Sequence, residues 1–216
     1  MKIELHMFTN CCGSAPSTLT LRRTHESFCR TFGHIKPTIW CDPKPNVRRY
    51  PEYKKNLLKL YPVVNETISL SDGYIKSIKS STADFSFMLE HDWQFVPGNI
   101  TDSLSSIIHA MKTLGIYHLR FNKRQNKIKG WDKILEPIFF CDMKFCRTNI
   151  LSNNPHIINR KKYIEFVEAG LIRVKPGSKG VEEIISTHKN TWGAIYGPLD
   201  HPATVRHSDG RRTRRK

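Results

Sequence analysis

Glu90-His91-Asp92 places two carboxylates one residue apart, directly after the apolar stretch Phe85-Ser86-Phe87-Met88-Leu89. On an extended backbone, residues i and i+2 point to one face, so both acids can look into one cleft. Oxygen ligands of this kind suit Mg²⁺ or Mn²⁺, which usually bind through one or two carboxylates and complete their shell with substrate phosphates. Two acids around one residue are common by chance. The apolar run gives the pair its weight, because ligands of open α/β sheets bind beyond the carboxyl ends of buried strands.

The elements that must position this pair alternate along the chain. Residues 3–8 read as a first strand, with a loop over 9–14. Residues 17–32 read as a helix, with Ser17 at its N-cap and Gly33 at its end. A short apolar strand follows over 37–41, closed by Asp42-Pro43. Helices are expected over 50–60 and 70–80, and a buried strand over 84–89. Residues 100–114 form the clearest amphipathic helix, with Ile100, Leu104, Ile107, Ile108, Met111 and Leu114 at helical spacing. Residues 117–122 return as a strand, and 123–132 read as an exposed basic loop. Residues 138–140 and 145–148 are expected to pair, 152–156 to turn, and 160–169 and 180–187 to be helical. Strands alternating with helices predict an α/β sheet with mainly parallel strands. No repeat or long linker divides the chain, so a single domain over 1–209 is expected, with a basic tail at 210–216.

The chain has 216 residues, 38% of them hydrophobic, which is enough for a sizeable core. No apolar run reaches the roughly 18 to 20 residues of a membrane span. The first eight residues are strand-like rather than a basic and apolar leader, so a cytoplasmic location is expected. Six cysteines show no C-x-x-C pair, and reduced, mostly buried thiols are the default reading. Thirty-five Lys and Arg against 19 Asp and Glu give a net charge of +16. A field of that sign favours a polyanionic partner, either nucleic acid, anionic lipid or an acidic glycan. The plain alternative is a solvated basic surface.

Gly73-Tyr74-Ile75-Lys76-Ser77-Ile78 followed by Ala83-Asp84-Phe85-Ser86-Phe87-Met88-Leu89-Glu90-His91-Asp92-Trp93 resembles the central block of family 2-like GT-A glycosyltransferases. In that family a helix precedes a strand that ends in the acidic DXD motif. The resemblance implies a GT-A-type, Rossmann-like mixed sheet flanked by helices. It also implies a divalent metal, Mn²⁺ or Mg²⁺, and a nucleotide-sugar donor such as a UDP-sugar. Glu90 stands where the first Asp is usual, and Asp92 matches the family's firmer metal ligand.

Further residues are assigned by the same resemblance. Thr9, Asn10 and Asp42, at the ends of the first two strands, would meet the nucleotide, with Glu90 and His91 beside it. Asn10 and Asp42 have a plain reading as turn residues. A late histidine, His207 with His201 behind it, would complete the metal shell. Arg206 and Arg211 would reach diphosphate oxygens, for which the guanidinium fork is suited. Trp93, Asn153, Asn154 and His156 are placed on the acceptor side, and Arg120, Lys123 and Arg124 would meet an anionic acceptor. Glu182 or Glu183 would be the general base of an inverting transfer. Their plain alternative is stabilisation of a helix dipole.

The expected activity is metal-dependent transfer of a sugar from a nucleotide donor to an acceptor hydroxyl. The +16 charge points to DNA carrying hydroxymethylated pyrimidines, as in viruses that glycosylate their own genome. A saccharide or lipid-linked acceptor at a membrane face is the second reading. A non-catalytic basic nucleic-acid-binding protein is the reading from another class, although no known binding motif is present.

Overall fold

The computed structural model describes residues 1–10, 16–43, 48–174 and 193–208. One nine-stranded mixed sheet runs through them, in the order β3-β2-β1-β4-β9-β6-β10-β8-β7. Its first half is parallel and consists of β1 (Ile3–Asn10), β2 (Pro37–Asp42), β3 (Val64–Glu66) and β4 (Phe85–Glu90). Helices α1 (Leu19–Phe32), α2 (Tyr50–Leu60) and α3 (Leu70–Ser80) make the crossovers. The chain steps outward from β1 to β2 to β3, and then returns to lay β4 on the other flank of β1. This reversal between β1 and β4 is a topological switch point, and it opens a crevice beyond their carboxyl ends.

The second half is mixed. β9 (His156–Asn159) runs antiparallel to both β4 and β6 (His118–Arg120). β10 (Gly193–Tyr196) is parallel to β6 and antiparallel to β8 (Met143–Thr148), which forms a hairpin with the edge strand β7 (Ile134–Phe140). The amino end of β9 therefore lies beside the carboxyl ends of β4 and β6. A separate two-stranded sheet pairs β5 (Trp93–Phe95) with β11 (Val205–His207).

The core has two parts, as a sheet covered on both faces requires. Leu5, Met7, Ile39, Phe85, Phe87 and Leu89 are buried in one cluster with residues of α1, α2 and α4 (Leu104–Leu114). Phe8, Trp40, Met88 and Ile158 are buried in the other, with residues of α3 and α5 (Arg160–Glu168). Alternation along each strand sends neighbouring side chains to opposite clusters. The first turn of α3 is capped: Ser69 Oγ accepts from Asp72 N, and Asp72 Oδ2 accepts from Ile68 N just ahead of the cap. Gly73 lets that first turn close on β1, since a Cβ there would lie 3.3 Å from the Phe8 ring.

The expected helices and long strands are present with shifted ends. α1 starts at Leu19; the Thr18 side chain does not cap it, but Ser17 Oγ accepts from Leu19 N at 3.2 Å. α4 starts at Leu104 because Ser103 Oγ caps Ser106 N, which leaves Ile100 outside the helix. The loop over 123–132 is not wholly exposed, because Asn126 and Asp132 are buried. β3, β5, β10 and β11 have three or four residues each, too short for periodicity to reveal. The expected helix over 180–187 and the tail at 210–216 lie outside the described residues.

Candidate active site

Three parallel strands bring the first group of candidate residues together. Asn10 pairs in register with Asp42 at the ends of β1 and β2, and Phe8 pairs with Glu90 at the end of β4. Asn10, Asp42 and Glu90 thus border the crevice at the switch point. Thr9 is one residue too early, being buried with its hydroxyl hydrogen-bonded to the Tyr53 hydroxyl of α2. Its side chain holds α2 against β1 rather than facing the crevice.

His91 and Asp92 form the tight turn between β4 and β5. The turn is pinned from two sides. His91 N donates to the Phe8 carbonyl at 2.8 Å, and the Thr24 hydroxyl of α1 donates to the His91 carbonyl at 2.6 Å. Beneath it, Phe28, Phe87, Phe95 and Phe121 pack edge-to-face or stacked at centroid distances of 5.0 to 6.1 Å. Such aromatic pairs each add about 0.5–1.5 kcal/mol beyond the area they bury. The acidic turn therefore stands on a rigid floor.

The β5–β11 ladder places His207 opposite Trp93. His207 Nε2 lies 3.0 Å from Asp92 Oδ2, and its ring packs edge-on against the Trp93 indole at 4.5 Å. Ser208 closes over the same turn, donating from N at 2.6 Å and from Oγ at 3.0 Å to the Asp92 carbonyl. Asp92 Oδ1 is buried and has no hydrogen-bond partner among the described residues. A buried carboxylate oxygen left bare is costly, and such atoms mark ligand or ion positions. Glu90 does not close a tight three-ligand cluster with this pair: among the described residues, only His25, Cys29 and His34 do so.

A cleft of about 470 Å³ opens beside the pair, lined by Glu90, Trp93, Arg120, Lys123, Arg124, Trp131, Asp132, Ile150, Ser152, Asn153, Asn154 and His207. The Lys123 ammonium sits 5.5 Å from the Trp93 ring centre. Asn153 and Asn154 reach the cleft because the antiparallel β9 starts at the end where β4 stops. His156 does not. It is a buried strand residue, its ring stacked on His118 at 4.5 Å and its Nδ1 donating to the Asn154 carbonyl at 2.8 Å. Burial, aided by the nearby Arg120 charge, pushes its pKa down to about 4. His156 holds the Asn153-Asn154 turn from below and does not line the cleft.

Two arginines also differ from expectation. Arg120 lines the cleft but is only 2% exposed and is paired with Asp132 at 2.7 Å. Asn122 Nδ2 donates to the other Asp132 oxygen at 3.0 Å. Arg206 neighbours His207 on β11, so strand alternation turns it the other way. Its guanidinium donates to Gln94 Oε1 at 2.8 and 3.1 Å, and it does not line the cleft. His201 is also outside the cleft lining, and its Nε2 meets the Asn99 carbonyl at 2.8 Å. Glu182, Glu183 and Arg211 lie outside the described residues.

Asp132 and Trp131 are cleft residues that the sequence reading passed over. The signal for Asp132 was indirect. A buried strand carrying Arg120 needs a counter-charge, and Asp132 is the only acid in the basic stretch 123–133.

No protein-family model and no curated protein matches this chain. Solved structures do. S. aureus TarS superposes with a TM-score of 0.55 at 9% identity, over 95% of this chain and 36% of that one. TarS 1-349 in complex with UDP gives 0.54 at 9% identity, over 94% and 59%. TarS 1-349 in complex with UDP-GlcNAc gives 0.55 at 7% identity, over 97% and 61%. The fold is GT-A. This chain spans about three fifths of the shorter TarS chain, and at such identities the likeness speaks for the fold alone. The switch-point crevice and the acidic turn after β4 lie together at the carboxyl ends of β1 and β4.

Proposed function

We propose that this chain is a metal-dependent glycosyltransferase that moves a sugar from a nucleotide-sugar donor to an acceptor hydroxyl. The observation that carries the reading is the bare Asp92 Oδ1 at the switch point, with His207 against the other carboxylate oxygen. One carboxylate and one imidazole make a partial donor set. That set fits Mg²⁺ or Mn²⁺, ions that take their remaining ligands from substrate phosphates and water. Asp92 and His207 would hold the ion, with Glu90 in a supporting place. When bound, it would offset the negative charge that builds on a departing diphosphate. The TarS complexes with UDP and UDP-GlcNAc support a UDP-sugar as the donor.

The chain's own groups divide the remaining work. Asn10 and Asp42 border the crevice where the nucleoside would lie. Lys123 and Arg124 bring positive charge to the cleft where the diphosphate would leave. A carboxylate of Glu182 or Glu183 takes the acceptor proton as the acceptor oxygen attacks the anomeric carbon. The bond from that carbon to the diphosphate oxygen breaks with inversion, and the nucleoside diphosphate carries away the electron pair.

The acceptor in this reading is DNA bearing hydroxymethylated pyrimidines. The +16 charge supports a polyanion. Trp131 adds to this, since it lines the cleft yet is 83% exposed among Lys127, Lys129 and Lys133. An indole among cations is a stacking surface for an unpaired base. The test is incubation with UDP-sugars and Mn²⁺ on hydroxymethylated DNA, ordinary DNA and a saccharide panel, followed by product mass. A hexose-sized gain on modified DNA alone is expected. Transfer to a saccharide but no DNA would keep the enzyme class and reject this acceptor. No transfer from any donor would reject both.

A further inference from the structure

We propose that His25, Cys29 and His34 form a second metal site, specific for a thiol-seeking divalent transition ion of the Zn²⁺ class. His25 and Cys29 are four residues apart on α1, hence on one face of the helix. Gly33 ends that helix at φ +87° with open space around its Cα, and this turn brings His34 back toward Cys29. Cys29 Sγ lies 3.8 Å from His34 Nδ1, and one donor atom from each of the three residues falls within 4.8 Å of the others. Zn–S and Zn–N lengths at a tetrahedral angle require about 3.6 Å between sulfur and nitrogen. The Cys29–His34 pair nearly has that separation, and His34, on an exposed loop, can close the remainder.

The surroundings suit a metal-bound imidazole. The two ring nitrogens of His25 meet the Tyr61 hydroxyl at 3.2 Å and the Ile35 carbonyl at 3.3 Å, both long contacts. One of them can remain as the outer hydrogen bond that orients the ring, while the other nitrogen turns to the ion. Burial raises the Cys29 pKa in the free protein, so binding would release the thiol proton. A thiolate with two imidazoles selects Zn²⁺ or Co²⁺ over Mg²⁺ and Mn²⁺, which separates this site chemically from Asp92 and His207. The two are also separate in space. Ile35 and Tyr61 precede β2 and β3, so the cluster sits toward the amino ends of these strands, whereas the cleft lies beyond the carboxyl ends. A bound ion would tie the end of α1 to the entry of β2.

Co²⁺ serves as the probe, because a cobalt–thiolate bond gives a near-ultraviolet charge-transfer band that an oxygen and imidazole site cannot give. The full chain, reduced and metal-free, is titrated with Co²⁺ and then with Zn²⁺ in competition. Expected are one thiolate-bound Co²⁺ per chain, its displacement by Zn²⁺, and a higher Tm with Zn²⁺ present. Cys29→Ser removes the band, and His34→Ala weakens binding at least about 100-fold. His34 is exposed, so folding of that variant is expected to survive, as circular dichroism would check. Absence of a thiolate band in the wild type, or equal affinity in His34→Ala, would overturn the site. Neither readout depends on sugar transfer.

Discussion

His207 Nε2 lies 3.0 Å from Asp92 Oδ2, joined across the β5–β11 ladder although the two residues come from distant parts of the chain. The pair does little for stability, because its members are only partly buried and Ser208 already anchors the Asp92 backbone. Its role is at the ligand. Asp92→Asn should lower kcat/KM by about 100-fold or more while leaving the thermal midpoint nearly unchanged. His207→Ala should cost roughly 10- to 100-fold, partly recovered by raising Mn²⁺. Steady-state kinetics across a metal series would show both. Unchanged kinetics in Asp92→Asn would remove the metal role.

The Arg120–Asp132 pair should behave oppositely, as a structural element. Both side chains are at least nine-tenths buried. Asp132→Ala removes the salt-bridge partner of a buried guanidinium, so a loss of about 3–5 kcal/mol is expected in urea unfolding. Arg120→Met with Asp132→Leu should recover much of it, because the pair's own net worth is small. A loss under about 1 kcal/mol for the single variant would mean that water reaches the pair.

Acid should destabilise the fold well before the carboxylates titrate. Burial lowers the pKa of His6 and of His156 to about 4, and that of His118 well below its usual value. An unfolded histidine titrates near 6.5, so below that pH the unfolded chain binds more protons than the native one. Stability is therefore complete above about pH 6.5 and falls as pH drops toward 4. At pH 5 His6 and His156 each cost on the order of 2 kcal/mol. Glu4, Glu66 and Glu165 have lowered pKa values and lose their contribution only further down, below about 4.5. Thermal midpoints should thus stay level from pH 7.5 to about 6.5 and decline from there to pH 5. A flat profile would contradict neutral burial of these rings.

Gly193 offers a test of the packing behind the cleft. A Cβ there would lie 2.7 Å from Leu151 Cδ2 and 2.8 Å from the His118 carbonyl oxygen, a backbone atom of β6. Gly193→Ala should therefore cost about 1–3 kcal/mol by pushing β10 off β6. Wild-type stability in that variant would indicate that β10 is held more loosely than its register implies.

The sequence revealed the long elements and the acidic turn because each carries a local signal. The stretch from Phe85 to Leu89 is apolar apart from Ser86, over a strand's length, and Leu104–Met111 has helical spacing. Asp92 and His207 could be named separately, yet their meeting depends on the three-residue strands β5 and β11, which have no readable period. His156 was misplaced for a related reason. An Asn-Pro pair signals a turn, and nothing local shows that the following residue enters the middle of a sheet. Arg206 is expected at the diphosphate and His207 at the metal, both toward the donor, and only the ladder decides which one faces Asp92. Arg120 reads as a cation for an anionic acceptor because its counter-charge is twelve residues away in a loop that reads as exposed.

The most direct test of the central claim is calorimetric titration of UDP into the protein with Mn²⁺, repeated with Asp92→Asn. The account predicts metal-dependent binding to the wild type, weakened at least about tenfold in the variant. Binding of equal strength in both proteins, or none in the wild type at millimolar UDP or any other nucleoside diphosphate, would contradict it.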